Sequence, residues 1–146
     1  MSVNSRILRT TPERVWDVLA DGWLYPLWVV GASRVRDVDD SFPAKGSQIY
    51  HSVGVWPALI DDSTEVLDVD PYQHIRLRAR GWPIGEAEVV IELGPSGAFT
   101  EVVIREDAVA GPGTLIPEPL KGLSLKWRNT ETLRRLAYIA ENRSAS

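Results

Sequence analysis

His51 and Asp62 are the residues of this chain whose types and spacing best suit general acid–base chemistry. Ile49 and Val53 share the predicted strand face of His51, which indicates an inward imidazole. A short turn at Trp56-Pro57 would fold the next strand back and bring Asp62 alongside. A carboxylate that holds an imidazole makes a general base near neutral pH. We therefore predict a catalytic pair. The alternative is that the two side chains face solvent or satisfy each other in a core.

The strand that carries His51 has an alternative register. A shift by one residue would turn every side chain to the other face and place Tyr50 and Ser52 inside. The residue pattern leaves open whether His51 or Tyr50 points inward.

Glu106 is a third candidate catalytic residue. It falls on the same predicted strand face as Val102 and Ile104, near the end of the strand. An inward carboxylate at that point can meet a ligand hydroxyl. The alternative is that Glu106 marks the place where the strand leaves the core.

Five of the six tryptophans, together with Tyr25, are the candidate ligand-binding residues. Four of them stand near proline or glycine in predicted loops, where large aromatic side chains can rim a pocket: Trp23, Trp28, Trp56 and Trp82. Tyr25 belongs with this group and offers a hydroxyl. Trp16 and Trp127 lie on apolar helix stripes and are expected in the core, and Trp127 is also counted among the ligand-binding candidates. Plain packing is the alternative for the whole group.

The chain lacks the residues that several other kinds of functional site require. The chain has no cysteine, and its two histidines fall on opposed faces, which argues against a transition-metal site. The segment from Gly81 to Gly85 contains Trp82 and Pro83, unlike a phosphate-binding loop. No serine stands at a strand-to-helix elbow. We therefore predict no metal and no cofactor.

Size, charge and cysteine content narrow the class of protein. The 146 residues, 44% of them hydrophobic, predict one domain spanning 1–146. A net charge of -4 argues against nucleic acid as a partner. The chain shows no export signal and no stretch apolar enough to insert into a membrane. Together with the lack of cysteine, this favours a cytoplasmic location. The sequence is compatible with a homodimer as well as with a monomer.

The first third of the chain predicts one strand and two short helices. Val3 to Arg9 alternates weakly, and Thr11-Pro12-Glu13 then carries the signals of a helix start. Asp21-Gly22 ends that helix, and Pro26 argues against one long helix through the aromatic segment that follows.

The middle of the chain, from Ser33 to Ala108, alternates with period two and predicts six more strands. In one hairpin we expect Glu65 opposite Arg78 on the charged face. In the next we expect Glu88 opposite Arg105. One face of the sheet is then apolar and the other is charged.

The last helix is predicted from Leu120 to Asn142. Its apolar positions recur at three- and four-residue steps and are expected to pack on the sheet: Leu120, Leu123, Trp127, Thr130, Leu133, Ala137 and Ala140. The fold class is therefore α+β, with about seven antiparallel strands wrapped around a long C-terminal helix.

Four segments carry a family resemblance. They are Thr11 to Trp16, the DDSTEVLDVDP segment that ends at Pro71, Arg105-Glu106-Asp107 with the later Gly111-Pro112-Gly113, and Arg128 to Leu133. Over nearly the whole chain the pattern resembles the START-like superfamily (SRPBCC), which groups lipid-transfer domains, plant pollen allergens and aromatic polyketide cyclases. It is most similar to the bacterial polyketide cyclase or dehydrase branch. The resemblance implies a helix-grip fold with a cavity between sheet and helix.

Three functions follow from that resemblance. The leading one is binding of a hydrophobic or aromatic small molecule, lipid-like or polyketide-like, in the cavity. The alternative is a cofactor-independent cyclase or dehydratase that uses a pocket acid or base. The third is a protein-interaction module of the co-chaperone type, which would enclose little volume.

Overall fold

The fold is a seven-stranded antiparallel sheet that grips a long C-terminal helix. A computed structural model describes residues 2–30, 32–53, 59–81 and 85–142. The strands are β1 (Ser2–Leu8), β2 (Ala32–Val38), β3 (Gln48–Val53), β4 (Ile60–Asp70), β5 (His74–Gly81), β6 (Gly85–Ser96) and β7 (Phe99–Ala110). The helices are α1 (Pro12–Leu19), α2 (Tyr25–Trp28) and α3 (Leu120–Asn142), with short 3-10 helices at Gly22–Leu24 and Pro112–Leu115. The strand order is β1-β7-β6-β5-β4-β3-β2, and the predicted fold class is confirmed.

Helix α1 begins where its capping residues predict, and a side-chain cap also starts the short 3-10 helix that follows it. The Thr11 hydroxyl accepts a hydrogen bond from the Arg14 backbone N–H at 3.4 Å, and Pro12 occupies the first turn of α1. The Asp21 carboxylate accepts from the Trp23 backbone N–H at 3.2 Å and starts the next turn. Helix α2 follows at Tyr25 without a side-chain cap and lies against β2 and α3.

The register of the β4–β5 hairpin is confirmed. Glu65 pairs with Arg78, and Thr64 pairs with Ala79 on the opposite face. The ion pair itself runs diagonally, because Arg80 Nη2 lies 3.2 Å from Glu65 Oε1 while Arg78 Nε lies 2.7 Å from Glu86 Oε1.

The register predicted for β6–β7 is wrong by two residues. Arg105 lies opposite Val90, and Glu88 lies opposite Asp107. The reason is the turn: β6 continues to Ser96, which pairs with Phe99. Gly97 takes a positive φ of 61° in the two-residue loop between them. A shift of two residues keeps each side chain on its face, so the apolar inner face survives the error.

The C-terminal half of α3 packs as predicted and its N-terminal half does not. Leu133, Ala137 and Ala140 are buried against the sheet and α1. Leu123 and Trp127 are exposed, as is Leu120, so the expectation that Trp127 lies in the core is wrong. In this half the helix turns another face to the sheet, where a cavity lies beneath it.

The Asn4 side chain connects β1 to α3 by hydrogen bonds. Its side-chain amide donates to the Lys126 carbonyl at 3.1 Å and to the Thr130 hydroxyl at 2.9 Å. A buried amide of this kind contributes roughly 1 kcal/mol for each hydrogen bond. These bonds hold the helix at the β1 edge, so its N-terminal half spans β7 and β6.

Candidate functional site

A cavity of about 270 Å³ separates the N-terminal half of α3 from the sheet. Strands β5, β6 and β7 form its floor, α3 its roof, and α2 with the start of β2 one side. Its described lining includes Tyr25, Val29, His51, Ala87, Glu106 and Arg128. A second cavity of about 70 Å³ lies deeper, over the large apolar side chains of the core.

A row of three alanines creates the larger cavity. Ala79 of β5 lies opposite Ala87 of β6, which lies opposite Ala108 of β7. On the same face of β5, two residues earlier, the larger side chain of Leu77 is buried in the core. Methyl groups leave unfilled the space that leucine or isoleucine side chains occupy elsewhere on this face. The space beneath α3 is therefore specified by the inward residues of three adjacent strands.

His51 lies at one wall of the larger cavity with 2% of its surface exposed. Its Nε2 lies 2.8 Å from the Thr64 hydroxyl. Its Nδ1 is buried and makes no hydrogen bond within normal limits to the described part of the chain. The register with Tyr50 and Ser52 inward is not the one observed, since His51 is the residue of this strand that lines the cavity.

Tyr25 contacts the His51 ring and shares a hydrogen-bond partner with it. Its ring stacks on the imidazole with centroids 5.5 Å apart, and its hydroxyl lies 3.1 Å from the Thr64 hydroxyl. Thr64 therefore bridges the phenol and the imidazole, and the three side chains form one hydrogen-bonded chain. Burial raises the pKa of Tyr25 to about 12, opposed in part by the hydrogen bond with Thr64. The phenol is protonated at neutral pH.

The imidazole of His51 is held neutral. Burial is the largest cause of its lowered pKa, because the charged form loses its hydration. The negative charge of Asp62 and the nearby backbone of Ser63 oppose this shift, and the positive charge of Arg36 adds to it. A buried imidazole with a lowered pKa is available as a base at neutral pH.

Asp62 lies directly opposite His51 across β3 and β4, as the predicted turn requires. The hydrogen-bond partner of His51 Nε2, however, is the Thr64 hydroxyl. Asp62 Oδ1 accepts from the Ser63 backbone N–H at 2.9 Å. Asp62 is half-buried and is not among the described residues that line either cavity. Its effect on the imidazole is that of a nearby charge.

Glu106 points inward with 4% of its surface exposed and lines both cavities. Arg128 of α3 donates to Glu106 Oε2, and the Asn129 side-chain amide donates to Oε1 at 2.9 Å. A buried carboxylate is tolerated when it is paired and hydrogen-bonded in this way. Glu106 thus connects the sheet to the helix across the space between them.

The tryptophans divide sharply by position. Trp28 is 4% exposed and lines the deeper cavity, with its ring 5.5 Å from that of Tyr25. Trp23 is 57% exposed and Trp127 is 73% exposed, and the described lining of the two cavities includes neither. Trp16 is in the core, as expected. Trp56 and Trp82 lie outside the described residues.

Thr64 and Arg128 are site residues that were not predicted from the sequence. Thr64 is a short polar residue on a strand with many others, and its role depends on two partners distant in sequence. Arg128 is not part of the apolar stripe that was expected to pack on the sheet. The alanines were a signal that could have been used, since Ala79, Ala87 and Ala108 break the run of large inward side chains.

In the described ranges, no three His, Asp or Glu side chains lie close enough together to hold a metal ion. Within the same ranges, no helix has the length and apolar content needed to cross a membrane.

Solved structures share this fold over almost the whole chain. Protein NE0264 from Nitrosomonas europaea matches with a TM-score of 0.72 at 18% identity, covering 97% of this chain and 94% of that one. Ara h 8.0201 matches with a TM-score of 0.71 at 9% identity, covering 94% and 95%. DynU16, a protein of the dynemicin biosynthetic locus, matches with a TM-score of 0.66 at 17% identity, covering 97% of this chain and 47% of that one. At these identities the likeness concerns the fold.

A family-model match to the sequence shows which family the chain belongs to. No curated protein matches the chain significantly. The model of the Activator of Hsp90 ATPase homolog 1-like family matches residues 9–137. This range includes α1, the alanine row and most of α3, and the resemblance to the START-like superfamily is confirmed. The chain therefore belongs to the Activator of Hsp90 ATPase homolog 1-like family, within the START-like superfamily of helix-grip proteins.

Proposed function

We propose that the chain binds a hydrophobic or aromatic small molecule, lipid-like or polyketide-like, in the larger cavity. The observation that carries this proposal is the row Ala79–Ala87–Ala108, which leaves about 270 Å³ between sheet and helix. An engineered apolar cavity of about 150 Å³ admits benzene, so this space takes a larger guest.

The lining suits such a ligand. Alanine and valine side chains supply most of the apolar wall. The described polar lining consists of Tyr25, His51, Arg80, Glu86, Glu106, Lys121, Ser124 and Arg128. Burial of apolar ligand surface contributes roughly 25 cal/mol per Å² before the cost of ordering, and the polar side chains orient the ligand. A cavity of mostly apolar walls with a few convergent polar groups is the usual form of a small-molecule site.

Filling the cavity tests the proposal. The probe is N-phenyl-1-naphthylamine, whose fluorescence rises in an apolar site. In Ala87→Phe the phenyl ring occupies the floor of the cavity, so we expect at least about tenfold weaker binding than in the unmodified protein. Native mass spectrometry of the purified unmodified protein provides an independent check for a copurified ligand.

The matched control is Ala98→Phe, the same substitution in the exposed turn between β6 and β7. It should bind the probe as the unmodified protein does. If Ala87→Phe is poorly folded by circular dichroism, the smaller change Ala79→Leu takes its place. Saturable binding that Ala87→Phe and Ala79→Leu both leave unchanged would contradict the proposal.

A second candidate function is an acid–base enzyme of the cyclase or dehydratase type. It is favoured by the chain Tyr25–Thr64–His51, which joins a protonated phenol to a neutral imidazole at the cavity wall. When Nε2 of His51 donates to Thr64 and Thr64 donates to Tyr25, Nδ1 keeps a lone pair and the Tyr25 proton is free. One base and one acid then serve the same ligand.

The reaction that this arrangement suits is an intramolecular aldol condensation. The base removes a proton next to one ketone, the resulting enolate carbon bonds to a second carbonyl carbon, and water leaves. The cavity would hold the flexible chain in a folded conformer, and Tyr25 would donate to the developing alkoxide.

Heptane-2,6-dione, which cyclises to 3-methylcyclohex-2-enone with loss of water, is a simple test substrate. The enone is followed by its ultraviolet absorbance. Turnover that is lost in His51→Gln and in Tyr25→Phe, while probe binding persists, is the result expected of an enzyme. A rate no faster than buffer, or a rate unaffected by His51→Gln, would count against catalysis by this group.

A protein-interaction module is the third function that the family resemblance implied. Such a module would enclose little volume. The cavity of about 270 Å³ beneath α3 therefore favours ligand binding over this third function.

A further inference from the structure

The two cavities adjoin across a wall that they share. Tyr25, Glu106 and Arg128 line both, together with Val29, Val30 and Ala79. The larger cavity, about 270 Å³, falls just short of the roughly 300–1,000 Å³ usual for ligand pockets, and the deeper 70 Å³ brings the total into that range. The two volumes are therefore placed to act as the outer and inner parts of one elongated site.

The inner part contains a hydrogen-bond donor without a partner. Trp28 lines it, is 4% exposed, and its Nε1 is buried with no acceptor in the described part of the chain. An indole N–H can only donate. Leaving such a donor unsatisfied is unfavourable, so a ligand that supplies an acceptor there gains affinity.

The surroundings of Trp28 limit what that acceptor can be. Leu77, Val89, Ile91 and Ile104 supply apolar walls. Among the described residues that line the inner part, the one cation is Arg128, and it already pairs with Glu106. A carboxylate brought into this space would be buried without a free counter-ion, which is strongly unfavourable. A neutral oxygen meets the indole N–H without that cost.

We infer that the two cavities form one site for an elongated apolar ligand whose inner end carries a neutral carbonyl or ether oxygen, received by the indole N–H of Trp28. The inference rests on the proposed binding function and specifies the ligand class. It excludes a fatty acid bound with its carboxylate inward.

The test uses two probes of nearly the same shape. In 4-acetylbiphenyl the end group is a ketone, and in 4-isopropenylbiphenyl a CH₂ group replaces the oxygen. Their dissociation constants are measured by displacement of N-phenyl-1-naphthylamine and by calorimetry. The proteins are the unmodified chain, Trp28→Phe, and the control Trp23→Phe, which removes an exposed indole outside both cavities. Biphenyl-4-carboxylate is the charged probe.

Removing the Trp28 N–H should reduce the preference for the ketone over the alkene by about threefold or more, as expected for one net hydrogen bond. Trp23→Phe should leave that preference unchanged, and the carboxylate should bind at least about tenfold more weakly than the ketone. If both neutral probes bind and Trp28→Phe leaves their ratio unchanged, the inference is overturned and the binding function stands. Equal or tighter binding of the carboxylate also overturns it. If no probe binds the unmodified protein, both the inference and the proposed function fail.

Discussion

The Thr64 hydroxyl lies 2.8 Å from His51 Nε2 and 3.1 Å from the Tyr25 hydroxyl, and thereby couples two ionisable side chains of the cavity wall. All three side chains are buried. Since a hydroxyl has one proton, Thr64 can donate to only one of its two partners at a time. The direction of these two hydrogen bonds therefore determines both which imidazole nitrogen carries a proton and whether the phenol proton is free.

Thr64→Val removes this bridge without changing the volume of the side chain much. It leaves two buried polar atoms unpaired, so the free energy of unfolding should fall by about 1–3 kcal/mol. In a Tyr25→Phe background one of those atoms is already gone, and the same substitution should be less destabilising. Urea denaturation of the four proteins measures both effects. Strictly additive changes would show that Thr64 and Tyr25 are not coupled.

The lowered pKa of His51 makes stability depend on pH. Above about pH 6.5, the ordinary value, the imidazole is neutral in both the folded and the unfolded protein. Below it, the unfolded chain takes up a proton that the buried imidazole resists, so the free energy of unfolding falls as the pH falls towards the lowered value. His51→Gln should lose less stability than the unmodified protein between pH 7.5 and 5.

Urea midpoints at several pH values measure that difference, and the NMR titration of the imidazole C–H protons gives the pKa directly. An imidazole pKa at or above 6.5 in the folded protein would refute the account of its burial.

Breaking the Glu106–Arg128 pair should destabilise the protein. Arg128→Met leaves the carboxylate of Glu106 buried with the Asn129 amide as its other donor, and we expect a loss of about 2 kcal/mol in the free energy of unfolding. Adding Glu106→Gln to Arg128→Met removes the buried charge and should restore part of that loss. A double variant less stable than the single one would contradict this interpretation.

Two leucines of α3 should differ widely in their effect on stability. Leu123 is exposed above the cavity, whereas Leu136 is fully buried against the core. We expect Leu123→Ala to change the free energy of unfolding by less than about 0.5 kcal/mol and Leu136→Ala to reduce it by about 2–5 kcal/mol. Thermal or urea unfolding of the matched pair measures this. Similar losses would mean that the N-terminal half of α3 is packed in solution.

Local signals in the sequence determined the elements and the register of two hairpins, β3–β4 and β4–β5. Thr11 and Pro12 specify a helix start by capping chemistry that needs no distant partner. The alternation of apolar residues determines which face each strand buries, and it predicts the inward side chain of Glu106. For His51 it allowed two registers, and the structure shows the one with the imidazole inward. The β6–β7 register was missed because a turn shifted by one residue at Gly97 satisfies the same alternation.

Only the tertiary structure decided what the inward residues meet. The apolar stripe of α3 predicted a helix packed along its whole length. The alanine row Ala79–Ala87–Ala108 instead leaves a gap that the helix bridges, with Arg128 turned towards it and Trp127 turned away. Whether a helix lies flush on a sheet depends on the summed volumes of side chains from several strands. Periodicity along one segment carries no information about that sum, because packing is a property of residues brought together from distant parts of the chain.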